Sequence, residues 1–307
     1  MNKKYHGVIP PIITPVDENE KVDEKGFRDL VEYCIKGGLH GLFVAGTNGE
    51  TMSLTQTERN RAIEIVLDQA GGRIPVMAGV MDSSTSRVVE NIRALKAMGG
   101  TCAVVTPVFY DRHTSEMETV RHFAGILEKT DIDLMIYNIP PFVGTGIKAD
   151  TVIKIADLDD RVVGYKDSSG AYTDLLRLID HFDGTQFSVM EGITPHAMSA
   201  ILMGADGFVP ALAPAFPEMF AAAYDAAASG NIAVAKKYNQ LIRKSSSILG
   251  MSINGTAAAK FAISLLGYTN KRVMMPQYPI MPEEEEKIRI CYDEVNKMFE
   301  ELKNEEI

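Results

Sequence analysis

The sequence predicts an α/β fold: a closed (β/α)8 TIM barrel with a C-terminal helical extension. Eight short apolar runs, rich in β-branched residues, recur along the 307-residue chain, and each is followed by a segment with helix signals. Near-continuous apolar runs are typical of strands that are buried on both faces. Eight such units within about 220 residues fit a closed barrel better than an open doubly wound sheet of five or six strands.

The predicted strands follow one another in a regular order. They are GVIPPIITP from Gly7, GLFVAGT from Gly41, IPVMAGV from Ile74, CAVVTP from Cys102, DLMIYNIP from Asp133, VVGYKDS from Val162, FSVMEG from Phe187 and GFVPAL from Gly207. Helix starts are marked by Thr55 with Glu58, by Ser115 with Glu118, and by Thr194 followed by Pro195. No GxGxxG or GxxxxGK[ST] motif follows the first strand, so a nucleotide-binding fold has little support.

The last part of the chain is predicted to be helical. Beyond Leu212 the composition becomes rich in alanine, and helices are expected at Ala221–Leu249, Gly255–Leu266 and Glu283–Lys303. No Gly/Ser-rich or Pro-rich linker precedes them. We therefore expect a catalytic barrel domain over residues 1–228 and a helical module over residues 229–307 that packs on it.

Composition excludes several classes of partner. The formal net charge of −10 leaves no basic face for nucleic acid or for an acidic membrane surface. The first fifteen residues hold no apolar stretch of signal-peptide length, and no stretch reaches the roughly 20 apolar residues of a membrane span, so a cytoplasmic location is expected. Three scattered cysteines and six histidines without an HxxxH or HExxH pair predict no disulfide, no metal and no cofactor.

A lysine ends the sixth predicted strand, in VVGYKDSSG. The carboxyl ends of barrel strands carry the chemistry, and Lys166 lies at such an end on the same face as Val162 and Gly164. The missing side chain of Gly164 is expected to leave room for the lysine stem. An amine held against apolar walls loses hydration, which favours the neutral form that attacks carbonyls. The alternative is an ordinary surface lysine just beyond a strand.

Two further features lie at neighbouring strand ends. Tyr137 ends strand five and, by the same alternation, faces inward beside Lys166, where a phenol can shuttle protons. Alternatively, it is a core tyrosine with a tethered hydroxyl. The loop AGTNGET after strand two contains Thr47 and Asn48 between glycines, and such a loop can bind a carboxylate through backbone and side-chain donors. An Asn-Gly turn also occurs commonly without any ligand.

These motifs together resemble those of a known family. The order GTNGE, VTP at Val105–Pro107, YNIP and GYKDSSG is similar to that of the dihydrodipicolinate synthase/N-acetylneuraminate lyase family of class I, Schiff-base, pyruvate-dependent aldolases. The resemblance covers nearly the whole chain. It implies that Lys166 forms an imine with pyruvate or with a 2-oxo acid that yields pyruvate, and that Tyr137 relays protons.

The resemblance also implies substrate-binding positions. Thr47 and Asn48 occupy the two hydroxyl positions that hold the pyruvate carboxylate and pass protons to the tyrosine, so Thr47 is also a catalytic candidate. An amide at position 48 donates hydrogen bonds to a carboxylate but provides no hydroxyl relay. Gly192 and Val209 match backbone positions that line the pocket. The family further implies a homotetramer built from two tight dimers, with sites near the dimer interface.

Two departures from the family pattern bear on the substrate. Phe142 stands where members that make dihydrodipicolinate carry an arginine for a second carboxylate, a contact worth roughly 1.5–3 kcal/mol. Arg112 or Lys148 is the candidate substitute. Phe109 stands where the family has a tyrosine that reaches into a neighbouring subunit's site, and Tyr110 is the candidate relay if the loop shifts by one residue.

The sequence therefore predicts a pyruvate-dependent class I aldolase or lyase that cleaves or forms a C–C bond of a 4-hydroxy-2-oxo acid. The substrate types considered are 2-keto-3-deoxy sugar acids, 4-hydroxy-2-oxoglutarate and N-acetylneuraminate, and Phe142 favours a distal end that is not a carboxylate. The partners are thus pyruvate and an aldehyde. The alternatives are 4-hydroxy-tetrahydrodipicolinate (dihydrodipicolinate) synthase, a keto-deoxy sugar acid dehydratase and a non-catalytic small-molecule sensor.

A metal-dependent class II aldolase is the remaining enzyme alternative. It would need clustered ligands at strand ends, and the acidic residues there lack histidine partners in the sequence. These acidic residues are Asp17, Glu50, Asp82, Asp111 and Glu191.

Overall fold

Eight parallel strands form one sheet in the computed structural model, which describes residues 3–305. The strands are β1 (Gly7–Val8), β2 (Leu42–Val44), β3 (Val76–Gly79), β4 (Cys102–Val105), β5 (Asp133–Asn138), β6 (Val162–Asp167), β7 (Ser188–Glu191) and β8 (Gly207–Phe208). Their order in the sheet is β1-β8-β7-β6-β5-β4-β3-β2, and every adjacent pair in this order is parallel. Each strand from β2 to β8 thus pairs with the strand that follows or precedes it in the chain, as in a β/α barrel.

The barrel closes between β2 and the residues that follow β1. Phe43 N donates to Pro10 O over 2.9 Å, and Ile12 N donates to Phe43 O over 3.0 Å, around a parallel bridge between Pro11 and Phe43. Pro10 and Pro11 lack the N–H groups that a longer ladder requires. The first predicted strand is therefore reduced to two residues and a bridge, and the predicted (β/α)8 barrel is confirmed.

Helices connect successive strands around the outside of the barrel. They are α1 (Glu24–Lys36), α2 (Gln56–Ala70), α3 (Thr85–Ala97), α4 (Glu116–Lys129), α5 (Pro140–Val143), α6 (Ala149–Ala156), α7 (Tyr172–His181), α8 (Ala197–Leu202) and α9 (Pro217–Ala228). The short α5 and the longer α6 both lie between β5 and β6. One large apolar cluster fills the layer between sheet and helices, and it includes Phe123 of α4 and Phe220 of α9.

The predicted caps are formed to different degrees. At α4 the capping box is complete, because Ser115 Oγ accepts from Glu118 N over 3.3 Å and the Glu118 carboxylate accepts from Ser115 N. At α2 only half of it forms: Thr55 accepts from Glu58 N, whereas the Glu58 carboxylate accepts from Val22 N.

The cap predicted at Thr194 is wrong. Thr194–His196 forms a single 3₁₀ turn without a side-chain cap, and α8 begins only at Ala197. A proline at the second position of this turn fits the tighter winding as well as it fits an α-helix start.

Three further helices follow the barrel: α10 (Ile232–Ser247), α11 (Gly255–Ser264) and α12 (Pro282–Glu305). The single helix predicted at Ala221–Leu249 is wrong. The chain turns at Gly230, whose φ is +74°, and Asn231 then caps α10 by accepting from Val234 N over 3.3 Å. A glycine with positive φ ends one helix and an asparagine starts the next.

The C-terminal helices share the apolar cluster of the barrel helices. Ala259 of α11 and Val295 of α12 are fully buried within it. The division of the chain at residue 228 stays a prediction. None of the described helices is long and apolar enough to cross a membrane.

Candidate active site

The carboxyl ends of the strands open into a cavity of about 870 Å³, with Lys166 and Tyr137 among its lining residues. The two residues are paired in register across β5 and β6. Lys166 is only 3% exposed, and its Nζ lies 3.8 Å from the centroid of the Tyr137 ring and 4.9 Å from that of Phe43. Within residues 3–305, no carboxylate lies within ion-pair distance of this amine. The nitrogen is thus enclosed by two aromatic rings and has no carboxylate counter-ion in the described part of the chain.

Gly164 does not leave room for the lysine stem, and that prediction is wrong. A Cβ at position 164 would lie 2.6 Å from Ser188 O and 2.9 Å from Met135 Cε, both on adjacent strands. The glycine is required because its neighbours pack directly against the β6 backbone. The space around Lys166 comes from the cavity above it.

Thr47 and Asn48 both line the cavity, but their polar groups are used differently. Asn48 Nδ2 donates to Pro11 O over 2.9 Å and to Ala211 O over 3.4 Å. Its amide therefore ties the loop after β2 to segments that follow β1 and β8. The Thr47 hydroxyl has no hydrogen bond to any other described residue, so it is available to a ligand in the cavity.

The other predicted binding residues also line the cavity: Gly192, Val209 and Phe142. Gly192 N donates to Asp167 O over 2.6 Å, and a Cβ on Gly192 would collide with Ser168 Oγ at 2.2 Å. Only glycine fits there. Phe142, on α5, is 68% exposed at the mouth of the cavity.

The residues proposed as a substitute relay or a substitute cation do not line the cavity. Phe109 lines the cavity, whereas Tyr110 is 99% exposed and is not among the lining residues of its own chain. Lys148 lies 3.6 Å from Glu116, outside the cavity, and Arg112 is exposed beside α5 without lining the cavity either. Tyr110 as a relay stays a prediction that requires a neighbouring subunit.

A buried ion pair supports the loop that carries Thr47 and Asn48, and sequence reasoning missed it. Glu50, in this loop, pairs with Lys260 of α11, and both side chains are 0% exposed. Lys260 Nζ also donates to Arg272 O over 2.7 Å, and Glu50 Oε1 accepts from Met274 N over 2.7 Å. Burial lowers the pKa of Lys260 and the attraction of Glu50 opposes this shift. A lone lysine in the apolar helix sequence GTAAAKFAIS was the available signal.

Two buried carboxyl groups lie on the adjacent strands β6 and β7. Asp167 and Glu191 are register partners on β6 and β7, and each is 2% exposed. Asp167 accepts from Tyr165 Oη over 2.9 Å and from Asn138 Nδ2 over 3.0 Å. His196 Nδ1 lies 3.8 Å from Glu191 Oε2, so the expectation that Glu191 lacks a histidine neighbour is wrong.

This group does not complete a metal site: within residues 3–305 no set of three or more His, Cys, Asp or Glu side chains is placed to hold a metal. Burial, reinforced by the charge of Asp167, raises the pKa of Glu191 from 4.5 to about 7. Burial likewise raises the pKa of Asp167. Glu191 is therefore the carboxyl that readily keeps a proton near neutral pH.

The raised pKa of Glu191 predicts a pH-dependent stability. The folded state holds a proton that the unfolded state releases above about pH 4.5, so the free energy of unfolding should fall as pH rises from 4.5 through 7, by up to about 3 kcal/mol. We expect Glu191→Gln to remove this contribution. Urea unfolding of both proteins from pH 5 to pH 8 checks it, since the stability of the variant relative to wild type should increase with pH. The exposed control Glu128→Gln should show a difference in stability from wild type that does not change with pH. The same pH-independent difference in Glu191→Gln contradicts the prediction.

The fold and the site together define a class of protein. A β/α barrel whose mouth holds an enclosed lysine beside a tyrosine has the architecture of an aldolase-type lyase. The chain belongs to the dihydrodipicolinate synthetase family, whose family model matches residues 4–295. The predicted family and the predicted enzyme class are thereby confirmed: family members are lyases that use pyruvate and an aldehyde-type substrate.

Individual relatives and solved structures are similar to this chain over nearly its whole length. The chain is 32% identical over 278 residues to 4-hydroxy-tetrahydrodipicolinate synthase of Phenylobacterium zucineum, covering 90% of this chain and 92% of the relative. The 4-hydroxy-tetrahydrodipicolinate synthase structure from Methylacidiphilum fumariolicum has a TM-score of 0.92 at 24% identity, covering 98% and 99% of the two chains. The chloride-inhibited dihydrodipicolinate synthase of Acinetobacter baumannii, complexed with pyruvate, has a TM-score of 0.89 at 26% identity, covering 96% and 99%.

Proposed function

We propose that Lys166 forms a Schiff base with pyruvate, or with a 2-oxo acid that yields pyruvate, and that the protein makes or breaks the C3–C4 bond of a 4-hydroxy-2-oxo acid. The observation that carries this proposal is the enclosed Lys166 amine, 3.8 Å from the Tyr137 ring centroid and without a carboxylate partner among the described residues. The pyruvate complex of the Acinetobacter baumannii relative supports pyruvate as the common ligand.

The proposed chemistry uses three side chains, Lys166, Tyr137 and Thr47. The Lys166 amine adds to the C2 carbonyl, and loss of water gives a protonated imine that acts as an electron sink. The C4 hydroxyl loses its proton, the C3–C4 bond breaks, and its electron pair enters the enamine as the aldehyde leaves. Protonation at C3 and hydrolysis of the imine then release pyruvate and the free amine. Tyr137 is the proton carrier in these steps, and Thr47 holds the carboxylate.

A second candidate function, 4-hydroxy-tetrahydrodipicolinate synthase, is favoured by the names of the curated relatives. These names support the synthase more directly than they support a 4-hydroxy-2-oxo acid lyase. Against it, Phe142 stands where the family resemblance places an arginine, and no arginine lines the cavity in the described chain. Both functions, and the dehydratase, begin with the same imine. They differ in the reaction step that follows formation of the imine.

Borohydride trapping with pyruvate tests the imine. We expect reduction to attach the pyruvate skeleton to the peptide that carries Lys166, as measured by peptide mass spectrometry. Lys260 is an internal control, because it is equally enclosed but is held by Glu50 and by the Arg272 carbonyl. Labelling of Lys260 instead, or EDTA-sensitive activity without any trapping, contradicts the proposal.

We also propose that the protein assembles as a homotetramer of two tight dimers. The exposed ring of Tyr110 supports this proposal, because a large aromatic side chain with 99% of its surface in solvent is suited to a contact with another chain. In such an assembly the Tyr110 side chain would contact the neighbouring subunit.

A further inference from the structure

Four large apolar side chains surround the mouth of the cavity and are exposed to solvent. Met52, Phe142, Ile253 and Tyr278, called the rim below, are 53%, 68%, 80% and 51% exposed. They come from the loop after β2, from α5, and from the loops before α11 and α12. Single exposed apolar residues are ordinary, but four that converge on one opening form a patch of the kind that marks a binding site.

The cavity offers no charged side chain for the distal end of a substrate. Among the described residues that line it, only Lys166 and Glu50 are charged. Glu50 is paired with Lys260, and Lys166 is committed to the imine. A distal carboxylate or phosphate would be desolvated here without a counter-ion, which is costly.

Two polar side chains beside the rim are already used by the protein itself. Asn254 Nδ2 donates to Gln277 Oε1 over 3.1 Å and to Tyr278 O over 3.0 Å, while its Oδ1 caps α11. Ser246 Oγ donates to Ile242 O over 2.7 Å. Neither side chain is therefore free to bind the hydroxyls of a polyhydroxylated chain.

The cavity is lined mainly by apolar side chains. Its apolar lining residues include Ile139, Val143, Phe109 and Leu249. The volume of about 870 Å³ is near the top of the range of roughly 300–1,000 Å³ that accommodates drug-sized ligands, so much of it is left once pyruvate is bound. An apolar group placed there would lose contact with water and gain contact with the wall.

We propose that the aldehyde handled by this site is uncharged and carries an apolar carbon chain that contacts the rim. This inference rests on the proposed function. In the cleavage direction a 4-hydroxy-2-oxo acid with an apolar substituent on C4 gives pyruvate and the apolar aldehyde. The C3–C4 electron pair enters the imine, the C4 hydroxyl loses its proton and C3 gains one, so the reaction needs no oxidant or reductant.

Condensation of pyruvate with a panel of aldehydes tests the inference. We expect kcat/KM for butanal and benzaldehyde to exceed that for glyceraldehyde and for aspartate semialdehyde by at least about tenfold. If either polar aldehyde reacts as well as the apolar ones while borohydride still traps pyruvate on Lys166, the inference fails and the proposed function stands. If pyruvate is not trapped at all, the proposed function fails as well.

Phe142→Arg probes the rim directly. Because the ring is mostly exposed, the substitution leaves the core untouched, and it places a cation where the apolar chain would lie. We expect the ratio of kcat/KM for butanal to that for aspartate semialdehyde to fall at least about tenfold, with pyruvate trapping retained. Met203→Arg, at an exposed apolar position that does not line the cavity, should leave the ratio unchanged. An unchanged ratio in Phe142→Arg overturns the assignment of the rim.

Discussion

Lys166→Ala is expected to reduce kcat/KM by on the order of 10⁴-fold or more, because removal of a covalent nucleophile leaves only substrate binding and orientation. Tyr137 and Thr47 remain in place in this variant, but no other described lysine lines the cavity to replace the lost amine. Steady-state assays of pyruvate release from a panel of 4-hydroxy-2-oxo acids, together with borohydride trapping, measure the effect.

Lys166→Arg is the matched control for charge and size. It keeps a long basic side chain between the rings of Tyr137 and Phe43, but a guanidinium does not form the imine, so activity should be lost as in the alanine variant. Near-native far-UV circular dichroism should accompany both losses. Activity of Lys166→Ala within tenfold of wild type would rule out the Schiff-base mechanism at this residue.

Lys260→Met is expected to lower the free energy of unfolding by about 3–5 kcal/mol, because it leaves the Glu50 carboxylate buried without its partner. It also removes the donor to Arg272 O. Glu50 lies in the loop that carries Thr47 and Asn48, so a shifted loop should reduce kcat/KM with pyruvate by up to roughly 10²-fold. Urea unfolding and pyruvate-dependent kinetics measure the two effects.

The double variant Glu50→Gln with Lys260→Met separates the buried charge from general damage to the fold. Glutamine is neutral and still accepts from Met274 N, so this variant should regain much of the stability that Lys260→Met loses. Lys271→Met removes a half-exposed partner of Glu285 and should cost no more than about 1 kcal/mol. If Lys260→Met and Lys271→Met lower the free energy of unfolding equally, the buried pair contributes no more to stability than the half-exposed one.

The barrel and the position of Lys166 and Tyr137 at its mouth were predictable because both depend on local, repeated patterns. Each buried strand is a short apolar run, and alternation along a strand decides which side chains face inward. Lys166 and Tyr137 each end such a run, so their placement at one end of the barrel followed from the strand count alone. The break between α9 and α10 also has a local signal, Gly230 followed by Asn231, although the predicted helix ran through it.

Only the tertiary structure decided the features that join distant segments. Glu50 accepts from Met274, 224 positions away, and pairs with Lys260 of α11, and no local pattern indicates that these residues meet. The same holds for the contacts that require Gly164 and for the rim, whose members come from four separate segments. The sequence by itself determined the barrel and the lysine at its mouth, since hydrophobic periodicity acts over a few residues. Packing in three dimensions decided which charges are paired and what surrounds the opening.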